Sequence, residues 1–298
     1  MPIAKILDGK ATAQAMRQEV AATVAEMDGK HGVTPGLAAV LVGDDPASAI
    51  YVRNKGRACQ EVGIYAQTFN LPADCSEEEV SNLVQRLNRD EKFHGILVQL
   101  PLSEHMNEGR VISGVNPRKD VDCIHPTNVG LLAQGRSDFV PATPGGIQQL
   151  LLRNGYNPEG KHVVVCGRSN IVGKPLVLLL MQKGPGANAT VTVCHTGTPD
   201  LGAMTRQADI LVAAMGRPGA ITPDMVREGA VVVDVGINRV EDASRPRGYR
   251  LVGDVDYEGL LEKVEAISPV PGGVGPMTIA MLLVNTVTAA RMRIHSRA

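Results

Sequence analysis

Tyr51 and Lys55 stand four residues apart in the stretch AIYVRNKGRACQ, positions 49–60. A spacing of four puts both on one face of a helix. An amine beside a phenol is a candidate for acid–base work if the helix aims it away from bulk water. The commoner reading of such a pair is a solvated surface, with the lysine stem lying flat and its head in water. The surrounding sequence shifts that balance. Gly43-Asp44-Asp45-Pro46 marks a loop directly after the apolar run LAAVLVG (37–43), so the helix opens at the carboxyl end of a strand. Ligands bind at that end of open α/β sheets. A second apolar run, GILVQL (95–100), includes Gln99. A glutamine closing an apolar strand needs a polar partner, and Lys55 is a reasonable one. Asp120 and Asp122 flank Val121 in NPRKDVDCIHP (116–126). In an extended segment they share one side. Asp122 then reads equally as a carboxylate for a ligand's amino groups or as one of a turn's capping aspartates.

A different chemistry is suggested by VVVCGRSNIVGKPLVLLL (163–180), a strand, a turn and a helix. The dinucleotide fingerprint places three glycines in that context. Here the aligned residues are Gly167, Ser169 and Val172, with Gly173 one place later. The motif is therefore weak and an ordinary βα turn is its plain alternative. The context is strong: amides at the start of the helix after Gly167 are expected to hold a pyrophosphate. The next run ends Cys194-His195-Thr196, with no carboxylate to read a ribose 2′-hydroxyl. Arg168 can pair with a 2′-phosphate, and Ser169 and Thr196 offer hydroxyls. NADP is thus favoured over NAD. His195 lacks a nearby metal-ligating partner, so it reads as a packing or ribose-contact residue and no metal is expected.

The elements that must position these groups are bounded by composition. The chain has 298 residues, 44% of them apolar and 20% charged, which suits one large or two ordinary globular domains. A net charge of −1 recommends neither nucleic acid nor an anionic membrane as partner. Aromatics make up 3% with no Trp, which argues against stacking platforms for single strands. The five cysteines are odd in number and irregular in spacing, without a CxxC. That excludes a disulfide framework or zinc cluster as a first reading and fits a reducing cytosol. Cys166 and Cys194 close apolar runs and are expected to be buried thiols. The N-terminus has no signal-peptide shape, and the uncharged stretch Pro276–Ala290 is shorter than a bilayer requires. A soluble cytoplasmic protein is expected.

Along the chain, 9–27 is helical in composition, a helix is expected over about Ala47–Val62, and Ser76 with Glu79 forms a capping box for another. The prolines and glycines of RSDFVPATPGG (136–146) mark a boundary. Beyond it the runs at 161–167, 189–195, 208–216 and 230–236 are strand-like, with helix-length connections. That rhythm predicts a parallel sheet with right-handed crossovers. Pro276 is expected to open a last helix.

Taken in order, YVRNK with Tyr51 and Lys55, GILVQLPL, KDVDCIHP, PATPGG, CGRSNIVGKP, CHTGT, DVGIN and SPVPGGVGPMT resemble the bifunctional methylenetetrahydrofolate dehydrogenase/methenyltetrahydrofolate cyclohydrolase family. The likeness runs from about Ile6 to Arg291. It implies an α/β fold: an N-terminal three-layer domain (1–141 with 271–298), a Rossmann-type NADP domain (142–270), and a C-terminal helix returning to the first. It implies folate and nicotinamide in the cleft between domains, a homodimer, and a place in one-carbon metabolism and purine biosynthesis. By the same likeness Tyr51 packs on the folate's aromatic portion, Lys55 is the catalytic lysine, Gln99 holds it, and Asp122 anchors the pterin. Val98, Leu100, Pro271, Gly272, Gly273 and Thr278 match folate-site positions. Gly167, Arg168, Ser169, Thr196 and Ile237 match NADP contacts. One departure is Cys123, where the family has glycine.

The implied chemistry is oxidation of 5,10-methylenetetrahydrofolate, then hydrolysis of the methenyl cation to 10-formyltetrahydrofolate. Hydride transfer needs geometry and no protein acid or base. Hydrolysis needs a base, and an amine serves only where burial and a neighbouring cation favour its neutral form. Two rivals share parts of the pattern. Another two-domain dehydrogenase, acting on shikimate-like or amino-acid substrates, leaves 269–276 unexplained. A non-catalytic NADP- or folate-binding sensor is disfavoured by the presence of Lys55 and Asp122.

Overall fold

The computed structural model describes residues 3–245 and 248–296. Its elements begin with β1 (Lys5–Ile6), α1 (Gly9–His31), β2 (Gly36–Val42), α2 (Pro46–Glu61), β3 (Tyr65–Leu71), α3 (Glu77–Arg89) and β4 (Gly95–Val98). There follow α4 (Glu108–Ser113), α5 (Pro126–Ala133), α6 (Ala142–Arg153), β5 (His162–Cys166), α7 (Gly173–Leu180), β6 (Thr190–Cys194) and α8 (Leu201–Thr205). The last are β7 (Ile210–Ala213), β8 (Val231–Asp234), β9 (Asn238–Glu241), β10 (Tyr249–Val252), α9 (Tyr257–Leu260), β11 (Ala266–Ile267) and α10 (Val274–His295).

The chain forms two compact units. One comprises Gln14–Ala142 and the described residues from Ile279 onward. Its three-stranded sheet has the order β3-β2-β4, parallel throughout. Every residue of β2 is buried, because both faces of the sheet are covered. Leu37, Ala39 and Leu41 meet Val20, Val24 and Met27 of α1 and Leu282, Leu283 and Val287 of α10. Ala38, Val40 and Val42 meet Val80, Leu83, Val84 and Leu87 of α3. The alternation of the central strand thus feeds two cores and gives three layers. The capping box forms as expected: Ser76 N donates to Glu79 Oε2 at 2.7 Å and Glu79 N to Ser76 Oγ at 3.2 Å. The edge strand β3 is a correction, since the sequence reading placed only helices between β2 and β4. Its half-exposed run contains Gln67, Thr68 and Asn70, and edge pairing rather than local apolar pattern makes it a strand.

The other unit comprises Thr143–Thr278 and the described residues up to Ala13. Its six strands lie in the order β1-β11-β8-β7-β5-β6, all parallel. The chain leaves β5 for β6 on one side and returns to β7 on the other, so the order reverses between β5 and β7. β9 and β10 make a separate antiparallel ribbon.

Two limits differ from the sequence expectation. The described residues up to Ala13, and 271–278, belong with the six-stranded sheet. The cause is tertiary: β1 pairs with β11, Lys5 opposite Ala266, and a Cβ on Gly9 would lie 1.7 Å from the Gly273 carbonyl oxygen. A two-residue strand has no periodicity to read. The last helix does carry Pro276 in its first turn, but it is longer than its uncharged stretch. With 22 residues it has the length and composition of a membrane span, while 61% of its apolar window is buried inside the protein.

Candidate active site

Helix α2 opens where β2 ends. Asp45 caps it, accepting from Ser48 N at 2.7 Å, and Pro46 occupies its first turn. This start fixes the phase of the helix, so Val52, Lys55, Ala58 and Cys59 turn inward. Lys55 is only 8% exposed. Its Nζ donates to Gln99 Oε1 at 3.1 Å. Gln99 is held in turn: its backbone N donates to Val40 O at 2.9 Å and its Nε2 to Leu100 O at 2.7 Å. A buried amine is costly unless paired and hydrogen-bonded; Gln99 supplies the hydrogen bond, and Asp122 lies near enough to feel the Lys55 charge. Tyr51, one turn earlier, is 38% exposed, and partial burial raises its hydroxyl's pKa. The solvated reading of Tyr51 and Lys55 therefore fails at Lys55. Cys59, one turn later, is an inert thiol pushed up to about 12 by burial, with the Lys55 charge opposing.

Asp120 and Asp122 separate in role. Residues 117–119 form a 3-10 turn and Asp120 bridges Ile96 beside β4. The Asp120 carboxylate accepts from His125 N at 2.8 Å, Asn128 Nδ2 at 2.8 Å and Ile124 N at 3.3 Å. It is a loop-building group. Asp122 has no such bonds in the described structure. Burial pushes its carboxyl up, the Lys55 charge pulls it down, and Asp120 adds to the rise. The two carboxyls therefore do not share one extended face. Cys123 takes φ +57°, a left-handed conformation that favours glycine. That accounts for the family's glycine there. The buried thiol lies 3.5 Å from Phe139 O, pushed up to about 12 by burial.

Asn285 was not singled out from the sequence. It sits in the apolar stretch MLLVNTV of α10 and is 2% exposed. Both amide hydrogens are used, on Val121 O and Val140 O at 2.7 Å each. It pins the turn that carries Asp122. A lone asparagine inside an apolar helix was the available signal.

In the six-stranded unit, Gly167, Thr196 and Ile237 follow β5, β6 and β8, all at the carboxyl edge. Gly167 has φ +134°, and a Cβ there would lie 2.1 Å from Ala214 O, at the reversal between β5 and β7. A Cβ on Gly173 would lie 2.2 Å from Gly167 O, so Gly173 provides the close helix–strand approach one place late. The amides expected to hold phosphate need correction. Ser169 Oγ accepts from Val172 N at 3.1 Å and Gly173 N at 3.4 Å, and Ser169 O from Lys174 N at 3.1 Å. The helix start is already capped. Among the described residues the amides of 168–171 lack a protein partner, and Arg168, Ser169 and Thr196 are exposed. This cradle, lacking a carboxylate at the end of β6, fits a dinucleotide with an added phosphate. His195 Nδ1 accepts from Gly197 N at 3.0 Å, a local turn contact. Among the described residues no His, Cys, Asp or Glu group suited to a metal occurs. Pro271–Gly273 forms the turn before α10, with Gly272 at φ +115°; Thr278 Oγ1 lies 3.1 Å from Thr143 Oγ1.

One parallel unit carries a glycine turn with free amides at its order reversal, and the other a buried lysine–glutamine pair. The model of the tetrahydrofolate dehydrogenase/cyclohydrolase catalytic domain matches residues 7–122, and that of the NAD(P)-binding domain matches 141–294. The chain belongs to the tetrahydrofolate dehydrogenase/cyclohydrolase family. It is 54% identical over 289 residues to the bifunctional protein FolD of Dehalococcoides mccartyi, covering 97% of each chain. Among solved structures, FolD of Campylobacter jejuni superposes with a TM-score of 0.91 at 45% identity, covering 97% of this chain and 99% of that one. The Trypanosoma brucei enzyme, complexed with NADP cofactor and inhibitor, gives 0.93 at 39% identity, covering 99% of each. The chain is thus a methylenetetrahydrofolate dehydrogenase and methenyltetrahydrofolate cyclohydrolase that uses NADP.

Proposed function

We propose that Lys55 is the base of the hydrolytic step and that Gln99 holds it. The observation that carries this is the buried Lys55 Nζ on Gln99 Oε1 at 3.1 Å. Oxidation of 5,10-methylenetetrahydrofolate leaves a methenyl cation. Lys55 then takes a proton from the water that adds to the one-carbon bridge, and the ring opens to 10-formyltetrahydrofolate. Gln99 accepts from the charged amine and can donate to the neutral one by turning its amide. Tyr51 covers the substrate's aromatic portion. Asp122 binds the pterin's amino groups, and its raised proton affinity falls when those donors arrive. Val98, Leu100, Pro271, Gly272, Gly273 and Thr278 are the folate-site positions that the likeness to the family supports.

Bound NADP+ supplies the hydride acceptor. Gly167 lets the backbone approach it closely, the amides of 168–171 and Ser169 take its phosphates, and Arg168 pairs with the 2′-phosphate. Thr196 and Ile237 complete the contact. A cytoplasmic homodimer serving one-carbon metabolism and purine biosynthesis, without nucleic acid or membrane, is the wider reading; the near-zero net charge supports its last part, and the likeness to the family the rest. The test is one cuvette: methylenetetrahydrofolate with NADP+ or NAD+, following reduced cofactor and methenyl product separately. Reduced cofactor with transient methenyl is expected. Reduction without methenyl decay above the spontaneous rate would remove the role of Lys55. Sedimentation of the purified chain tests the dimer.

A further inference from the structure

Two carboxylates lie buried in the six-stranded unit: Asp234 at the end of β8, 2% exposed, and Asp254 just after β10, fully buried. Among the described residues no lysine or arginine side chain reaches either one. Asp254 Oδ2 accepts from Met215 N and, at 2.9 Å, from Gly216 N; its Oδ1 accepts from Arg217 N and from Asn238 Nδ2, each at 2.9 Å. Asp234 Oδ1 accepts from Gly236 N at 3.0 Å and Asp254 N at 2.9 Å, and its Oδ2 from Val255 N at 3.2 Å. Each carboxylate also fills the place of a missing side chain beside the other. A Cβ on Gly253 would lie 1.6 Å from Asp234 Oδ2, and one on Gly236 would lie 2.2 Å from Asp254 Oδ1.

The bonds tie together three segments at the carboxyl edge: 215–217 after β7, 235–238 after β8, and 253–255 after β10. Ile237 is the residue they present. Its neighbour Gly236 is held by Asp234 and its neighbour Asn238 by Asp254, while Ile237 itself is 48% exposed. Such a lock is a poor way to gain stability alone. Two like charges without a cation are costly to bury, and burial, with the Asp254 charge adding, pushes the Asp234 carboxyl up to about 6. An apolar pair would hold a core at less cost, but it would not orient three loops by their amides.

We propose that Asp254, locked to Asp234, is a positioning residue for the dehydrogenase: it fixes Ile237 against the cofactor, and hydride transfer depends on it while hydrolysis does not. This rests on the assignment of Ile237 as a cofactor contact. The test compares Asp254→Asn, Asn238→Ala and Ile237→Ala in the full-length enzyme. Asp254→Asn keeps the shape but turns a donor toward two donors; Asn238→Ala removes one arm and leaves the buried pair intact, so it serves if the first variant does not fold. In both lock variants KM for NADP+ is expected to rise about tenfold, as for a modest misplacement of a binding group. Cyclohydrolase turnover of methenyltetrahydrofolate, measured without cofactor, is expected to stay within about twofold. An equal fall in both activities, or an unchanged KM for NADP+ in the variants that fold, overturns the lock. If Ile237→Ala leaves KM for NADP+ unchanged, the assignment of Ile237 fails and the proposal with it. If Ile237→Ala raises it and the lock variants do not, the lock alone fails.

Discussion

The two units solve opposite problems with the same architecture. Both are parallel sheets whose order reverses at the working edge, and both place their groups on loops and helix starts there. In the three-stranded unit the proposed base is withdrawn: Lys55 is buried, and a side chain, Gln99, holds it. In the six-stranded unit the candidate cofactor groups are presented: Arg168, Ser169, Thr196 and Ile237 are exposed, and beside Ile237 the Gly236 amide is held by the buried Asp234 carboxylate. Proton transfer needs an amine poor in water, because hydration stabilises its charge. Binding a phosphate needs donors that solvent can reach before the ligand does. The same fold therefore buries its chemistry in one place and exposes it in the other.

The sharpest way to break this comparison is Lys55→Met. Cyclohydrolase is expected to fall by about 10²–10⁴-fold, the range for loss of a general base, while folate and NADP+ still bind by fluorescence titration. A near wild-type rate would remove Lys55 from the hydrolytic mechanism. Next in size, Arg168→Ala is expected to raise KM for NADP+ by about tenfold or more, the worth of a charge-assisted hydrogen bond. KM for NAD+ should barely move; equal effects would show that Arg168 does not read the 2′-phosphate.

Asp122→Asn sharpens the comparison by separating binding from stability. The Asp122 carboxyl is held above its ordinary value, chiefly by burial. The native state therefore favours its neutral form. The cost of its charge is absent below the unfolded carboxylate value and complete once pH passes the higher folded value. Asp122→Asn is expected to raise Tm at neutral pH, with the gain vanishing near about pH 4, while KM for folate rises. Calorimetry at the two pH values checks the sign, and a lower Tm at neutral pH would mean that the carboxylate supports the turn. The smallest effect is expected from Cys123→Gly. Relief of the left-handed backbone and loss of a buried thiol are each worth about 1 kcal/mol and oppose one another. Urea unfolding should show a net change below about 1 kcal/mol.

Much of the local structure around the candidate site was readable because it obeys local rules. Asp45-Pro46 after an apolar run announced α2 at a strand's carboxyl end, and spacing put Tyr51 and Lys55 one turn apart. The weak glycine motif at 167–173 was rescued by its strand–turn–helix context. What escaped was non-local. β1 and β11 are two residues each and exist only as partners. Asp120 and Asp122 looked alike in sequence, and only the amides that reach Asp120 tell them apart. Asn285 lies 164 residues from the Val121 carbonyl that it pins.

By itself, the sequence determined the residue types, the period of each central strand, the helix starts and the order of the motifs, since these follow from side-chain chemistry and neighbours within a few positions. Tertiary structure alone decided that the Lys55 amine is withdrawn from water, that loop donors take up the Asp120 carboxylate, and that two buried carboxylates hold the segments on either side of Ile237. Burial and hydrogen-bond satisfaction are properties of what the rest of the chain brings to a residue, and no local pattern specifies them.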